Sequence, residues 1–284
     1  MGDSEPGLFN IISVPDAYRQ YLQPAVFDPW ARELVAFVPL RNGDVVLDVA
    51  AGTGAVARAA APIVGPGGRV IASDVSPLML AGVGLEATDD QGPVELLESP
   101  ADHLSLPDGI IDVVYCQQGL QFMSDRNAAI TEMLRVLRPG GALGIAVWSD
   151  EAPPEPFATY ARILQDHGVP EPYPNAYDTS DVTMSEDEIE RLLTTADSAP
   201  TSVRTIEVPL VWLESRSAAL GITGSTYGPT VAALGQSERE AVFADIEEHA
   251  GGDPPVTMRA VLGRALAGGV ATRRTGLHCN PISP

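Results

Sequence analysis

The first half of the chain alternates short apolar runs with segments whose apolar residues recur at helical spacing. The runs of strand character are Val45–Ala50, Arg69–Asp74, Val94–Leu97, Ile111–Cys116 and Leu143–Trp148. Helical spacing is found in Gly54–Val64, in a segment that starts near Ser76, and in Arg126–Leu137. Strands that alternate with helices predict a parallel, doubly wound sheet.

The last of these helices has a clear apolar face and a clear predicted end. Its apolar side chains are Ile130, Met133, Leu134 and Leu137. The run Pro139-Gly140-Gly141 then predicts a turn, because proline and glycine both disfavour helix continuation. We therefore expect the helix to end there and the fifth strand to follow.

Beyond residue 150 the pattern is weaker. Residues 151–180 contain many prolines and few periodic apolar positions, which predicts a long connection or cap. Val203–Trp212 alternates like a strand, and Val256–Ala267 is a candidate last strand. From residue 271 onward we expect a mobile tail.

Two capping boxes predict helices in this second half. Ser185-x-x-Glu188 precedes apolar residues at helical spacing, and Ser237-x-x-Glu240 predicts a further helix that ends at Gly251-Gly252. In such a box the serine and the glutamate side chains satisfy backbone N–H groups at the helix start. The strands of the two halves together predict seven strands.

Composition narrows the function of the 284-residue chain. Acidic residues outnumber basic ones by 38 to 17, which gives a formal net charge of −21, and all the basic residues are arginines. A phosphate-binding loop with its lysine and a lysine Schiff base are therefore excluded, and nucleic acid or an anionic membrane is a disfavoured partner. Two cysteines and four histidines argue against a disulfide framework or a structural zinc site, so we expect no metal. An acidic N-terminus and the lack of a long apolar run predict a cytoplasmic location.

A glycine loop follows the first predicted strand. Gly52-Thr53-Gly54-Ala55-Val56-Ala57 fits the G-x-G-x-x-A pattern of dinucleotide sites, and taken alone it leaves a nicotinamide oxidoreductase open. Asp48, four residues before the first glycine, would repel a pyrophosphate but attract an ammonium or sulfonium group. Asp74 closes the second strand, where a ribose diol is normally bound. These residues together indicate a site for a cationic nucleoside.

Four blocks resemble class I S-adenosylmethionine-dependent methyltransferases, in the branch of the ubiquinone/menaquinone enzymes and their bacterial small-molecule relatives. The blocks are Val46–Gly54, Asp74–Leu80, Pro107–Val114 and Glu132–Gly141. The resemblance covers about residues 40 to 150. It implies an α/β fold with a doubly wound, mostly parallel seven-stranded sheet of the Rossmann-like methyltransferase type and a helical cap.

The resemblance also implies roles for individual residues. The methionine portion of the cofactor would lie against Asp48, Ala50, Gly52, Thr53 and Gly54. Asp74 would accept hydrogen bonds from the ribose hydroxyls, and Val75 and Met79 would enclose the adenine. Cys116 and Gln117 would line the methyl-transfer axis. Purely structural alternatives stay open, since Asp48 could cap the following helix, and Met79 and Cys116 could be core residues.

One departure concerns the adenine. Ser99-Pro100-Ala101 occupies the place of the usual Gly-Asp-Ala, so a proline replaces the acid that accepts the adenine amino group. Losing such a charged hydrogen bond costs about 1.5–3 kcal/mol. Asp102 is a candidate replacement, and Ala101 and Asp102 are included in the expected cofactor site.

The resemblance places the substrate between the N-terminal segment Phe9–Phe27 and the insert Val208–Gly235. The candidate substrate residues are Phe9, Tyr18, Tyr21, Gln118, Gln121 and Phe122. Tyr18 and Tyr21 are also the candidate catalytic residues, because a phenol hydroxyl could orient a phenol or enol; the alternative is that the aromatic residues only pack a helix onto the sheet. The sequence singles out no general base, and alignment with desolvation can suffice for methyl transfer.

We therefore expect a bacterial methyltransferase for a small, largely apolar acceptor such as an aromatic, polyketide or quinone-like secondary metabolite. The acceptor would attack the sulfonium methyl of S-adenosylmethionine, and S-adenosylhomocysteine would leave. The expected organisation is a cap segment at 1–40, a cofactor-binding core at 41–150, the rest of the sheet with a substrate-cap insert at 151–270, and a tail at 271–284; a homodimer is left open. The alternatives are a cyclase or isomerase that keeps the cofactor as a scaffold, and a nicotinamide oxidoreductase.

Overall fold

A computed structural model of the chain describes residues 13–84, 90–169, 182–195, 198–251 and 256–268. Its α-helices are α1 Ser13–Ala17, α2 Asp28–Phe37, α3 Ala55–Val64, α4 Pro77–Ala81, α5 Arg126–Val136, α6 Phe157–Asp166, α7 Glu186–Thr195, α8 Ser215–Gly221, α9 Gly228–Ala233 and α10 Gln236–Ala250. A π-helical segment, Tyr18–Phe27, joins α1 to α2, and Leu120–Phe122 and Ile222–Gly224 are short 3₁₀ helices. Across the described ranges, no helix combines the length and the apolar character needed to span a bilayer.

The strands form one sheet. They are β1 Val45–Val49, β2 Arg69–Asp74, β3 Val94–Glu98, β4 Ile111–Gln117, β5 Leu137–Ser149, β6 Thr183–Met184, β7 Ala199–Pro209 and β8 Thr257–Leu266. The order is β3-β2-β1-β4-β5-β8-β7, with the two-residue β6 paired to β5. The pairs from β3 to β5 are parallel, whereas β8 is antiparallel to both of its neighbours. The predicted fold class is confirmed, and Val256–Ala267 does contain the last described strand. The short strand β6 is not among the seven predicted strands and makes the described sheet eight-stranded.

The central strands are buried on both faces, as expected for a parallel sheet covered by helices. Along β4, Val113 and Tyr115 belong to one apolar core, while Val114 and Cys116 belong to the other. The first core includes residues of α2, α3 and α6, and the second includes residues of α5 and α7. Strand alternation therefore decides which layer each β4 side chain joins.

The predicted boundary between α5 and β5 is wrong. The helix ends at Val136, and β5 begins at once at Leu137, so Pro139-Gly140-Gly141 lies inside the strand instead of separating the two elements. The pairing of β4 with β5 shifts register between Ile111 and Val113, which accommodates this irregular stretch.

The second half contains further differences from the sequence expectations. Residues 151–180 are not only a connection, since α6 lies within them and buries Phe157 and Tyr160. The Ser185 box is confirmed, because Ser185 Oγ accepts from Glu188 N and Ser185 N donates to Glu188 Oε2. Ser237 does not cap α10, which begins one residue earlier at Gln236. The expected tail at 271–284 lies outside the described residues.

Candidate active site

A cavity of about 390 Å³ opens at the carboxyl ends of the parallel strands. Its walls include residues that follow β1, β2, β3 and β4, together with residues of the π-helical segment and α6. The strand order reverses on the two sides of β1, which is where open α/β sheets bind their ligands. The fold therefore brings the glycine loop to the expected ligand crevice.

The glycine loop has a backbone that few residues other than glycine adopt. Ala50, Gly52 and Gly54 have φ values of 55°, 56° and 84°. At Gly54, which directly precedes α3, an added Cβ would lie 2.9 Å from Val83 Cγ1. The two glycines therefore let the chain turn sharply from β1 into α3 while the loop backbone faces the cavity.

Asp74 holds this loop from the neighbouring strand. One carboxylate oxygen accepts Gly52 N at 2.8 Å and the other accepts Ser76 N at 2.9 Å. Burial raises the pKa of Asp74, and the backbone hydrogen bonds from Ser76 and Gly52 oppose that shift. The carboxylate also lines the cavity, so it can accept further hydrogen bonds from a ligand.

Asp48 is the most deeply buried acid of the site, with only 1% of its surface exposed. Its Oδ2 accepts Ala57 N in the first turn of α3 at 3.1 Å, so the capping role is real. It nevertheless lines the cavity. Burial raises the pKa of Asp48 to about 8, and the nearby Asp74 adds to the shift. A cationic ligand would stabilise the ionised carboxylate here.

The segment that departs from the family pattern also lines the cavity. Ser99, Pro100, Ala101 and Asp102 are all on its wall, as are Val75 and Met79. The Ser99 hydroxyl is used within the loop, where it donates to His103 O and accepts from Ser105 N. Asp102 is exposed on this wall, so its carboxylate is accessible to a ligand.

The N-terminal segment closes one side of the cavity. Tyr18 and Phe27 stack with ring centroids 4.6 Å apart, and both line the wall with Leu22. Gln117 Nε2 donates to Phe27 O at 2.9 Å, and Thr53 Oγ1 donates to Gln23 Oε1. The glycine loop and β4 are thus both hydrogen-bonded to this segment.

A second wall is aromatic. Trp148, near the end of β5, meets Phe157 of α6 edge to face at 6.3 Å, and both line the cavity. Gly224, Ser225 and Thr226 of the insert also line the cavity, and Gly224 lies against the backbone of Ala17 and Tyr18. Among the described lining residues there is no arginine or histidine, and the charged ones are Asp48, Asp74, Asp102 and Asp125.

Most of the predicted site residues meet at this cavity. The lining includes Tyr18, Asp48, Ala50, Gly52, Thr53, Asp74, Val75, Met79, Ala101, Asp102, Gln117, Gln118 and Phe122. Gly54, Cys116, Tyr21 and Gln121 are not among the lining residues. Phe9 lies outside the described residues.

The exceptions have structural reasons. Cys116 points into the core beside α5, because strand alternation gives the cavity Gln117 instead, and burial raises the pKa of its thiol to about 12. Gln121 is buried in the 3₁₀ turn after β4. Tyr21 is half-buried, whereas Tyr18 and Leu22 share the face toward the cavity.

Sequence reasoning missed Trp148 and Phe157 as wall residues. The sequence pattern places Trp148 only in a strand, and Phe157 lies in the proline-rich stretch that predicts a connection. The signal that could have found Phe157 is the helical spacing of Phe157, Tyr160 and Leu164, all of which are buried.

Comparison with known proteins agrees with this geometry. Residues 47–145 match the family described as "Methyltransferase domain". The sheet and the glycine loop agree with this match, and residues 47–145 are similar to the methyltransferase domain of class I S-adenosylmethionine-dependent enzymes.

The particular similarity is to the ubiquinone/menaquinone type. A ubiquinone/menaquinone biosynthesis C-methyltransferase of Pseudomonas putida is 38% identical over 137 residues, which are 47% of this chain and 53% of the relative. The chain thus spans about half the length of the curated relatives it matches.

Two solved structures share the fold. A Haemonchus contortus phosphoethanolamine N-methyltransferase 2 in complex with S-adenosyl-L-methionine has a TM-score of 0.56 and 17% identity, covering 91% of this chain and 58% of that one. The [4+2]-cyclase SpnF has a TM-score of 0.53 and 20% identity, covering 85% and 81%. At these identities the likeness concerns the fold alone.

Proposed function

We propose that this protein transfers a methyl group from S-adenosylmethionine to a small, neutral and largely apolar organic acceptor. The observation that carries the proposal is the single cavity in which Asp48, Asp74 and the glycine loop adjoin an aromatic wall. The residues fit the cofactor, since a pair of carboxylates beside a glycine turn suits a nucleoside that carries positive charge.

The chain's own residues would hold the cofactor along the strand ends. Asp74 would accept hydrogen bonds from the ribose hydroxyls while keeping Gly52 in place, and Asp48 would offset the positive charge of the sulfonium group. Val75 and Met79 would contact the adenine, and Asp102 is available to accept a hydrogen bond from the adenine amino group. When bound, S-adenosylmethionine supplies an electrophilic methyl group on a sulfonium sulfur.

The rest of the cavity would position the acceptor. Tyr18, Phe27, Trp148 and Phe157 offer apolar ring faces, which exclude water and favour a flat acceptor. Because the described lining contains no basic side chain, a carboxylate or phosphate on the acceptor would enter the site uncompensated. An aromatic, polyketide or quinone-like secondary metabolite meets these conditions. Catalysis would then consist mainly of alignment and desolvation, with Tyr18 as the candidate orienting hydroxyl.

The wider setting follows from the same features. A net charge of −21 without any lysine disfavours nucleic acid and anionic membrane surfaces as partners. We propose a cytoplasmic enzyme of bacterial natural-product biosynthesis, with residues 41–150 as the cofactor-binding core and a homodimer as a state to be tested.

Calorimetric titration with S-adenosylhomocysteine tests the cofactor half of this proposal. We expect micromolar binding by the wild type. The substitution Asp74→Ala should weaken binding by at least about 1.5 kcal/mol, or more than tenfold, because it removes a half-buried charged acceptor. Asp166→Ala is the matched control, since Asp166 is an exposed acid outside the cavity that forms an ion pair with Arg162.

Two results would contradict the proposal. One is unchanged affinity in a folded Asp74→Ala protein, and the other is a wild type that binds NADH but not S-adenosylhomocysteine. Once an acceptor is identified, a mass gain of one methylene unit in the product would show methyl transfer, whereas an unchanged mass would favour the cyclase or isomerase alternative.

A further inference from the structure

Two of the blocks that resemble the methyltransferase family take no part in the wall of the cavity. These blocks are Pro107–Val114 and Glu132–Gly141, and none of their residues is among the described lining residues. The loop that follows β3, by contrast, contributes residues 99–102 to the wall. The second block begins within α5, and side chains of this helix are hydrogen-bonded to that loop.

The main contact is made by Arg135, whose guanidinium uses all five of its N–H groups. Nη2 donates to Leu104 O at 3.0 Å, and Nη1 donates to Leu106 O at 2.9 Å. Nη1 also donates to Asp108 Oδ1 at 2.6 Å. The two carboxylate oxygens of Glu132 accept from Nε and Nη2 at 2.7 and 2.8 Å. Because a guanidinium is planar and rigid, it holds these acceptors in one fixed arrangement.

Glu132 completes the attachment of the loop to α5. Its Oε2 accepts Leu104 N at 3.0 Å, so both backbone groups of Leu104 are bonded to side chains of the helix. Hydrogen bonds from Arg135 lower the pKa of Glu132, which keeps this carboxylate ionised at neutral pH. The Leu104 side chain is itself buried in the core beside α5. The Arg135–Glu132 pair thus fixes the middle of the loop from outside the cavity.

The fixed middle of the loop is bonded to the part that lines the cavity. Ser99 Oγ donates to His103 O at 3.0 Å and accepts from Ser105 N at 3.1 Å. His103 N donates to Pro100 O at 3.2 Å. These bonds connect the residues on both sides of Leu104 to the start of the loop. A shift of Leu104 would therefore move the wall of the cavity with it.

We infer that Arg135 and Glu132 are positioning residues for the adenine of the cofactor, because they hold the loop where it accepts the adenine amino group's hydrogen bond. This inference rests on the proposed function, which assigns that wall to the adenine. Pro100 makes the position of the loop important, since its side chain offers no acceptor. The acceptors that the loop does offer are Asp102 and backbone carbonyl groups. A carbonyl cannot rotate toward its partner as a side chain can, and hydrogen bonds weaken steeply when their geometry is poor.

The test compares S-adenosylhomocysteine with S-inosylhomocysteine, in which a carbonyl oxygen replaces the adenine amino group. We expect calorimetry to show at least about tenfold tighter binding of S-adenosylhomocysteine by the wild type, because the analogue leaves the loop acceptor unpaired. Arg135→Met keeps an apolar stem without the guanidinium, and it should reduce this preference to within about threefold.

Arg135→Lys is a second variant, which keeps the positive charge if Arg135→Met fails to fold. Lysine has three donors on a single nitrogen and cannot span the carbonyls of Leu104 and Leu106 in the same way. We therefore expect its preference for S-adenosylhomocysteine to lie between those of the wild type and Arg135→Met. A preference equal to that of the wild type would overturn the inference.

Arg138→Met is the matched control, since Arg138 is an exposed arginine of the same block that forms an ion pair with Asp112. We expect it to keep the wild-type preference even where it lowers stability. A purely structural role for Arg135 would weaken the binding of both ligands by the same factor and leave their ratio unchanged. That result would overturn the inference, as would an equal loss of preference in Arg138→Met.

The wild type separates this inference from the proposed function. A wild type that binds both ligands equally well would overturn the inference and leave the proposed function standing. A wild type that binds neither ligand would overturn both.

Discussion

The two halves of the cavity are built in different ways. The half that we propose to hold the cofactor, called the cofactor half below, contains Asp48, Gly52 and Asp74. These residues lie close together in the chain, within one unit made of β1, the glycine loop, α3 and β2. The half that we propose to hold the acceptor, called the acceptor half below, combines four segments that are distant in sequence. These segments are the π-helical segment, the end of β4, the stretch from Trp148 to Phe157, and residues 224–226.

This difference explains why the sequence alone identifies one half of the cavity and not the other. A sharp turn between a strand and a helix requires backbone conformations that glycine adopts most readily. Glycines therefore occur in such a turn at a fixed spacing. An apolar wall requires only ring faces of suitable size, which many residues supply from any segment that packs nearby. The cofactor half is therefore identified by a motif, and the acceptor half only by the fold.

The largest expected effect comes from forcing apart two segments of the acceptor half. At Gly224 an added Cβ would lie 2.4 Å from Tyr18 N and 2.7 Å from Ala17 C, both backbone atoms. We expect Gly224→Ala to lower the free energy of unfolding by about 3 kcal/mol, because neither backbone can shift without moving its helix. Urea denaturation measures this change.

Gly235→Ala is the control for that substitution. Its Cβ would meet no atom within 4 Å, and its φ of −59° suits alanine. Similar midpoints for the two variants would show that the insert and the N-terminal segment are not in close contact, and the acceptor half would then be only loosely assembled.

An intermediate effect is expected from the buried acid of the cofactor half. Burial raises the pKa of Asp48 to about 8 in the folded protein, from 3.8 as the ordinary value. The folded state therefore binds more protons than the unfolded state between about pH 4 and pH 8, and Asp48 makes stability fall as pH rises through that window. In the ligand-free protein, Asp48→Asn removes this loss. We expect the free energy of unfolding of the variant to exceed that of the wild type by more than about 1 kcal/mol at pH 9 and by much less at pH 5.

Thermal unfolding at the two pH values checks this sign. Asp150→Asn, a change at an exposed turn, controls for the general effect of removing one negative charge. A stability difference that is the same at pH 5 and pH 9 would mean that Asp48 keeps an ordinary pKa, and its burial would then be incomplete in solution.

The smallest effect concerns the departure from the family pattern. Pro100 lines the cavity and is exposed, so an acid there can reach a bound nucleoside without burial. We expect Pro100→Asp to bind S-adenosylhomocysteine at least as tightly as the wild type, with a gain of no more than about tenfold. Calorimetry measures the ratio, and Pro107→Asp, outside the lining, is the matched control. Weaker binding by Pro100→Asp alone would argue against the alignment of this loop with the family motif.

Local signals predicted most of the cofactor half. The alternation of Val45–Ala50 and Arg69–Asp74 with helices predicts parallel strands. The spacing of Asp48 from Gly52 predicts a ligand crevice at the end of the first strand. The Ser185 box predicted α7 correctly because its two side chains satisfy backbone groups only at a helix start.

Tertiary context decided what the sequence left out. Pro139-Gly140-Gly141 reads locally as a turn, yet pairing with β4 draws these residues into β5. The prolines before Phe157 predict a connection, yet a helix begins there. Burial of its apolar face stabilises this helix more than helix propensity does. The position of Cys116 near the end of β4 predicts a site residue, but strand alternation turns its side chain into the core.

The position of β8 has a consequence for how the chain is completed during synthesis. This strand pairs with β5 on one side and β7 on the other, although β7 precedes it in the chain. Until the ribosome has released β8, β5 has an open edge and β7 has no neighbour in the sheet. A nascent chain can therefore form the cofactor half early, but joining β7 to the sheet waits for the last described segment.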